Sequence, residues 1–474
     1  MFEQAIRFQA QSQPQAVAFE TPQGSISFGT FEDAIGQCAQ ALAAQGLVAG
    51  QTVLVADSRP FVHWSLLFAL DRLGCISVSG DTTGQALAVA QPDLVLSEQS
   101  AGVTGLRCIE TDATWLQAAF SAPLVPPIKR SPRPDDIVRI ILTSGTTGLP
   151  KPIALTRAII DMRISHMLSS YVPVRTRMLS TMGINSVGGY LASQAVWLGG
   201  GSMVYAQGND IAQSVMALKP SFLLMAPIQL QKLLQDLPAD LERRDALRIA
   251  VGGSAIAQRL IRTTLSRLTT DLIVAYGSTE AGPTTATSAR RVLDQPGAVG
   301  HVLPWAELEV IDDAGAVVPP GTIGSLRIRA DDMVTGYADG SVDPGLRDGW
   351  FYPGDLGHVR PDGMLVLHGR SDDVLNLGGV KTSAFALEEL ISDVQGVAEA
   401  AVFILDNGVD LPRLAAAIVL EAGADLASVG AALSPRLTQP LHCIPVDLIP
   451  RNAMGKIDRQ NLTKAYRTQP NTGE

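Results

Sequence analysis

Short apolar runs alternate along this chain with stretches in which apolar side chains recur at helical spacing. AVAFE (16–20) and SISF (25–28) read as paired strands joined by a turn at 22–24. Residues 30–45 carry a helical pattern with Gly46 as its stop. TVLVA (52–56) predicts a buried strand, 61–73 a helix and 75–78 a further strand. Apolar runs at 137–142 and 153–155 bracket a loop of Ser, Thr, Gly and Pro, and further strands are expected at 202–205, 221–225, 248–251 and 272–275. Such alternation predicts a mostly parallel α/β sheet. After about residue 300 the strands AELEVID, GSLRIRA and GMLVLHG come close together, separated by Gly, Pro and Asp, which suggests an antiparallel or barrel-like section. From about residue 371 a smaller α+β unit is expected, with a helix at 384–393 and strands at 397–404 and 414–420. The tail from about residue 468 is expected to fray.

Composition narrows the class. The 474 residues predict two to four domains, and 46% apolar residues are ample for a core. A net charge of −10, from 36 basic and 46 acidic side chains, argues against a broad nucleic-acid or anionic-membrane surface. Cys38, Cys75, Cys108 and Cys443 are scattered with no CxxC pair, so neither a zinc site nor a disulfide framework is suggested. MFEQAIRFQAQSQPQ lacks a basic start and an apolar core, so no secretory signal is expected. No apolar run approaches the ~20 residues of a membrane helix. The expected location is the cytoplasm.

Four signals carry candidate chemistry, the third of them made of two segments. In TSGTTGLPK (143–151) hydroxyls and glycines alternate before a lysine. Glycine admits an anion close to the backbone, amides and hydroxyls donate to phosphate oxygens, and Lys151 adds charge. The spacing is not that of a Walker A loop. AYGSTE (275–280) follows an apolar strand, where ligands of open α/β sheets bind. There Tyr276 offers a face for a base, Thr279 a donor and Glu280 an oxygen ligand for Mg²⁺. DGWFYPGD (348–355) and GRSDD (369–373) offer a carboxylate for ribose hydroxyls and an arginine for ribose or phosphate. PRNAMGKIDR (450–459) places Lys456 beside a glycine. Taken singly, each also fits an ordinary turn or a solvated charge.

Their order and spacing are more specific. The chain resembles the adenylate-forming superfamily of acyl-CoA synthetases, nonribosomal peptide adenylation domains and luciferases. LTSGTTGLPK, AYGSTEAG, GWFYPGDLG, GRSDDVLNLGG and PRNAMGKIDR stand where that family has its core motifs, and the resemblance covers essentially the whole chain. It implies an α/β fold with a large N-terminal domain (residues 1–370) of α/β subdomains plus a barrel-like section. A smaller, mobile α+β C-terminal domain (residues 371–474) would carry the catalytic lysine. It further implies ATP and Mg²⁺ as cofactors and CoA as co-substrate.

Residue by residue, the resemblance puts ATP phosphates on Thr143, Ser144, Gly145, Thr146, Thr147, Gly148 and Lys151. Gly277 and Ser278 would join them in the nucleotide site, Thr279 would contact the α-phosphate, and Glu280 would hold the metal. Tyr276 would flank adenine, beside the loop Gly252, Gly253 and Ser254, and Asp355 and Arg370 would bind ribose. Lys456 would bridge the carboxylate and the phosphate as the main catalytic side chain. Asp372 would be the hinge, and Gly378 and Gly379 would line a thiol channel. Asn185, Ser186, Gly252 and Ala275 would border the acyl pocket.

The substrate segment departs from the family. MGINSVGGY (182–190) has Asn185 or Ser186 where many acyl-CoA synthetases carry His or an aromatic residue. It lacks the Asp that amino-acid-activating domains place there, which disfavours an α-amino acid. Pro353 stands where Thr is more frequent, and the chain is somewhat short for the family. The expected activity is conversion of a small carboxylic acid to an acyl-adenylate and then transfer to CoA. Alternatives at this stage are a separate carrier protein or an amine as acceptor, and a nucleotide- or acyl-binding homologue without catalysis.

Overall fold

The alternation of strands and helices builds two largely parallel sheets. A computed structural model describes residues 2–82, 84–99, 105–124, 132–144, 150–206, 210–341, 345–377, 380–405, 412–437, 440–451 and 457–466. One sheet runs, edge to edge, Gly282–Ser288, Asp271–Ser278, Arg248–Val251, Phe222–Met225, Arg177–Ser180, Ser202–Val204, Val17–Thr21 and Gly24–Ser27. Its inner strands are parallel and its two edge strands antiparallel. The other runs Arg107–Glu110, Leu94–Ser97, Thr52–Ala56, Ile76–Ser79, Ile137–Ser144 and Pro150–Thr156, parallel except for the last pair. Strands such as Leu94–Ser97 and Phe222–Met225 are buried at every position, as helices on both faces of a parallel sheet require.

Local chemistry explains where elements begin. The helix predicted over 30–45 starts earlier, at Phe28–Ala44, because the Ser27 hydroxyl accepts from the Thr30 amide at 3.2 Å. Helix Pro60–Leu73 opens on proline, whose missing N–H costs nothing in the first turn, and ends at Gly74 with φ +76°. An aromatic cluster joins the two sheet systems. Trp64, on helix Pro60–Leu73, meets Trp197, on helix Val187–Leu198, edge to face at 4.9 Å, and stacks on Tyr190 at 5.5 Å. Both indoles are satisfied: Trp64 donates to Tyr205 Oη at 2.8 Å and Trp197 to the Ala18 carbonyl at 2.9 Å.

The closely spaced later strands form an antiparallel sheet in the order Ala298–His301, Met364–Arg370, Asp355–Val359, Gly324–Ala330, Trp350–Phe351 and Leu346–Arg347, with Ala306–Ile311 also paired to Gly324–Ala330. The C-terminal portion has a hairpin, Val374–Leu377 with Val380–Ser383, then helix Ala384–Ser392 and a sheet of Val397–Leu405, Arg413–Leu420 and His442–Pro445. That sheet has an apolar cluster on each face, one around Val402, Ala416 and Ile418 and one around Phe403, Ala415 and Leu462. It therefore has a core of its own. Its contacts with the larger part include polar ones: Gln231 donates to the Ala398 carbonyl at 2.6 Å, Arg259 pairs with Glu421 at 2.7 Å, and Arg262 pairs with Asp393. Among the described residues no helix is long and apolar enough to cross a membrane.

Candidate active site

Three sheets deliver their ends to one cavity of about 2420 Å³. A pocket for one small molecule is typically ~300–1,000 Å³, so this space admits a nucleotide together with a second substrate. It continues into the cleft beside the C-terminal unit, where Glu388, Glu389, Arg451 and Arg459 also line it.

The first contribution comes from the hairpin of Ile137–Ser144 and Pro150–Thr156, which pairs Thr143 with Lys151 and Ser144 with Pro150. Thr143 and Lys151 line the cavity. Gly145, Thr146, Thr147 and Gly148 lie outside the described residues. The Lys151 ammonium stands 5.6 Å from the centre of the Tyr337 ring, a contact that steadies a cation without neutralising it. Tyr337 belongs to a segment tied to the same hairpin, since the Ala338 amide donates to the Pro152 carbonyl at 2.7 Å. Sequence reading missed Tyr337, which lies far from any motif.

The second contribution is the edge hairpin of the larger sheet. The strand expected to end near Ala275 continues through Tyr276, Gly277 and Ser278, because each finds a partner on Gly282–Ser288. Gly277 is required by contact, as a β-carbon there would collide with the Gly282 carbonyl. Thr279 and Glu280 therefore sit in the turn, and both line the cavity. Beneath the turn lies fully buried Arg163, from helix Arg157–Ser170, which donates to the Thr279 carbonyl at 2.8 Å and the Glu280 carbonyl at 3.0 Å. Burial lowers the pKa of this guanidinium, partly offset by Asp332 and Glu280. No motif marks Arg163. Nothing in the local sequence, RAIIDMRISHMLSS, sets it apart from the other polar residues of its helix.

The third contribution comes from the antiparallel sheet, which pairs Asp355 directly with Arg370. Arg370 Nη1 lies 3.6 Å from Asp355 Oδ1, and Tyr276 Oη donates to Asp355 Oδ2 at 2.6 Å. The Tyr276 hydroxyl is pushed well above its ordinary pKa, first by burial and then by the Asp355 carboxylate. Gly354, with φ +78°, lets the chain turn where a β-carbon would stand 3.0 Å from Arg370. Asp372, in the short turn Ser371–Asp373, is exposed and lies 3.5 Å from Arg370 Nη2.

One part of the wall, built from the segments around Ser186, Pro227, Gly252 and Ala275, is uncharged. Gly252, Gly253 and Ser254 follow strand Arg248–Val251, and the Gly252 Cα faces the Ala275 carbonyl so closely that a β-carbon would stand 3.1 Å from it. Opposite, Ser186 caps helix Val187–Leu198: its hydroxyl accepts from the Gly189 amide at 3.1 Å and donates to the Gly183 carbonyl at 2.8 Å. Asn185 precedes it at the cavity rim. Segments 181–188, 224–229, 250–256 and 274–276 contain no Asp, Glu, Lys or Arg. Gly378, Gly379 and Lys456 lie outside the described residues.

The donor set bears on a metal. Among the described residues no three His, Cys, Asp or Glu side chains gather as a cage. Glu280, a half-buried carboxylate on the cavity wall, suits Mg²⁺, which keeps waters and binds mainly through substrate phosphates.

Residues 6–338 match the family model described as AMP-binding enzyme. A 4-chlorobenzoate–CoA ligase of Arthrobacter is 28% identical over 435 residues, 84% of this chain and 81% of the relative. The fatty acid–[acyl-carrier-protein] ligase ScoC of Streptomyces coeruleorubidus is 25% identical over 508 aligned positions, 98% of this chain and 96% of the relative. The fold is shared with ATP-bound MatB from Rhodopseudomonas palustris, with a TM-score of 0.85, 24% identity and 99% of each chain covered.

Proposed function

The chain belongs to the AMP-binding enzyme family, the AMP-forming acid–thiol ligases and their adenylating relatives, and from that premise we propose that it activates a largely apolar carboxylic acid with no charged group besides its carboxylate and passes the acyl group to CoA. The observation that carries this reading is the convergence of Lys151, the Thr279–Glu280 turn and the Asp355–Arg370 pair, from three separate sheets, on one cavity.

In the first half-reaction a substrate carboxylate oxygen attacks the α-phosphorus of ATP, and the bond to pyrophosphate breaks. Negative charge grows on the phosphoryl oxygens and the leaving group, so positioned donors and cations supply most of the rate. Lys151 and the hydroxyl loop at 143–148 hold the β- and γ-phosphates. Thr279 donates to the α-phosphate. Mg²⁺ neutralises phosphate charge when bound, and Glu280 would hold it. Asp355 accepts from ribose hydroxyls and Arg370 supports that carboxylate. Tyr276 flanks the base, and Lys456 bridges acid and phosphate.

In the second half-reaction a thiolate attacks the acyl carbon and AMP leaves. We place the hinge at Asp372, divide the chain into residues 1–370 and 371–474, and assign Gly378 and Gly379 to the thiol approach. The polar contact between the two parts, made by Gln231, Arg259 and Arg262, supports a unit able to reorient. The uncharged wall around Ala275 and Gly252 supports a neutral acyl group over one bearing an ammonium or second carboxylate. The working location is the cytoplasm.

A panel of neutral aryl and alkyl acids, assayed for pyrophosphate release with and without CoA, tests the proposal. Release with every acid at the no-acid background would overturn adenylation. Release without formation of an acyl-CoA would overturn CoA as acceptor. The similarity to ScoC along 98% of this chain favours a carrier protein as the second candidate, read by mass spectrometry of a phosphopantetheinylated carrier.

A further inference from the structure

We infer that Arg163 is a positioning residue for the Thr279–Glu280 turn, fixing the backbone on which the phosphate-facing hydroxyl and carboxylate are mounted. The inference rests on the adenylation reading above. A guanidinium with 0% exposure is costly to bury unless it is paired and hydrogen-bonded. Here its donors go to backbone: Nη1 to the Thr279 carbonyl at 2.8 Å, and Nη2 to those of Glu280 at 3.0 Å and Asp332 at 2.8 Å. Nε also donates to the Asp332 carbonyl, at 3.2 Å. The Asp332 carboxylate, also at 0% exposure, lies 3.8 Å from Nε and balances the charge.

This pair is braced from outside. Asp332 Oδ2 is 2.9 Å from His166 Nδ1, and the His166 ring stacks on Trp305 at 4.0 Å, 4° from parallel. The Trp305 indole then donates to the Pro283 carbonyl at 3.1 Å, on the strand that leaves the turn. The Val334 amide also donates to the Glu280 carbonyl, at 2.9 Å. Gly282, with φ +69°, lets the chain pass where a β-carbon would stand 3.1 Å from Asp332 and 3.2 Å from Arg163. Both carbonyls that carry the catalytic turn are thus clamped by one planar fork. Lysine cannot reproduce that geometry, since its ammonium is a single point donor. A displacement of about 1 Å in a positioned group costs roughly 100-fold in rate.

The test uses the full-length enzyme, with thermal denaturation reporting that each variant is folded. Arg163→Lys is expected to lower kcat for acid-dependent pyrophosphate release by roughly 10- to 100-fold, leave KM for the acid unchanged and raise the Mg²⁺ concentration for half-maximal rate. In a Thr279→Ala background the same change should cost far less, because the group it positions is already gone. Additive losses, or a lowered Tm with unchanged kcat and Mg²⁺ requirement, would overturn the inference. If Arg163→Lys is not recovered folded, Asp332→Asn decides, with the same pattern at smaller amplitude expected and wild-type kinetics overturning it. If wild-type protein releases no pyrophosphate with any acid, the functional reading fails. The inference is then read by calorimetry: the variant must weaken ATP binding with Mg²⁺ and not without it, and equal weakening overturns it.

Discussion

Tyr276 donates its phenolic proton to Asp355 at 2.6 Å, joining the last parallel strand of one sheet to the first residue of a strand in another. The bond holds the carboxylate that, in the function proposed above, accepts from the ribose hydroxyls. Because burial and Asp355 raise the hydroxyl's pKa, it stays a donor throughout the assay range. Tyr276→Phe keeps the ring and removes the bond. KM for ATP should rise by roughly 5-fold, the value of about 1 kcal/mol, with a smaller change in kcat. Steady-state kinetics in ATP at saturating acid checks this, and an unchanged KM would remove the bond from nucleotide recognition.

Lys456→Ala should nearly abolish adenylate formation, by more than roughly 100-fold in kcat, while ATP binding measured by calorimetry changes little. Unchanged turnover would sink the assignment of this lysine.

Met182 lines the part of the cavity that we propose receives the acyl group. Its sulfur stands 3.0 Å from where a β-carbon on Gly188 would be, and its methyl 4.0 Å from that on Gly253. Met182→Ala opens this span by three heavy atoms. Relative kcat/KM should shift toward the bulkier acid of a matched pair by roughly 10-fold or more, as steric differences of a few methylenes allow. The ratio measured in competition decides. An unchanged ratio places the acyl group elsewhere.

Glu389, on helix Ala384–Ser392 facing the large part, has its carboxyl pushed up to about 7, mainly by burial, against a lowering bond from the Gly297 amide. A raised folded-state pKa means the folded protein binds the extra proton. The stability penalty is absent below the ordinary carboxylate range, builds as pH rises toward 7 and is complete above it. Glu389→Gln should therefore raise Tm more at pH 8 than at pH 5. An equal shift at both values would remove the ionisation of Glu389 from the balance.

Much of this protein was legible in one dimension. The strands TVLVA and RIAV, the crowded antiparallel strands after residue 300 and the helix after Ser383 follow from local apolar pattern and turn residues, and the structure keeps them with small shifts. Glu280, Asp355, Arg370 and Lys151 stood out because glycine and hydroxyl residues gather where backbone must approach an anion. Those signals are short-range, so they survive without the fold.

What only the tertiary structure decided is how distant segments share work. Asp355 and Arg370 face each other because two antiparallel strands place them in register. Tyr276 continues a strand instead of ending one, because its partner strand offers hydrogen bonds to that position. Arg163 and Tyr337 carry no motif, and their contacts to Thr279 and Lys151 span 116 and 186 positions of chain. Sequence pattern records which backbone is ready for a phosphate. Which side chains hold that backbone still depends on packing between elements, and no local periodicity encodes it.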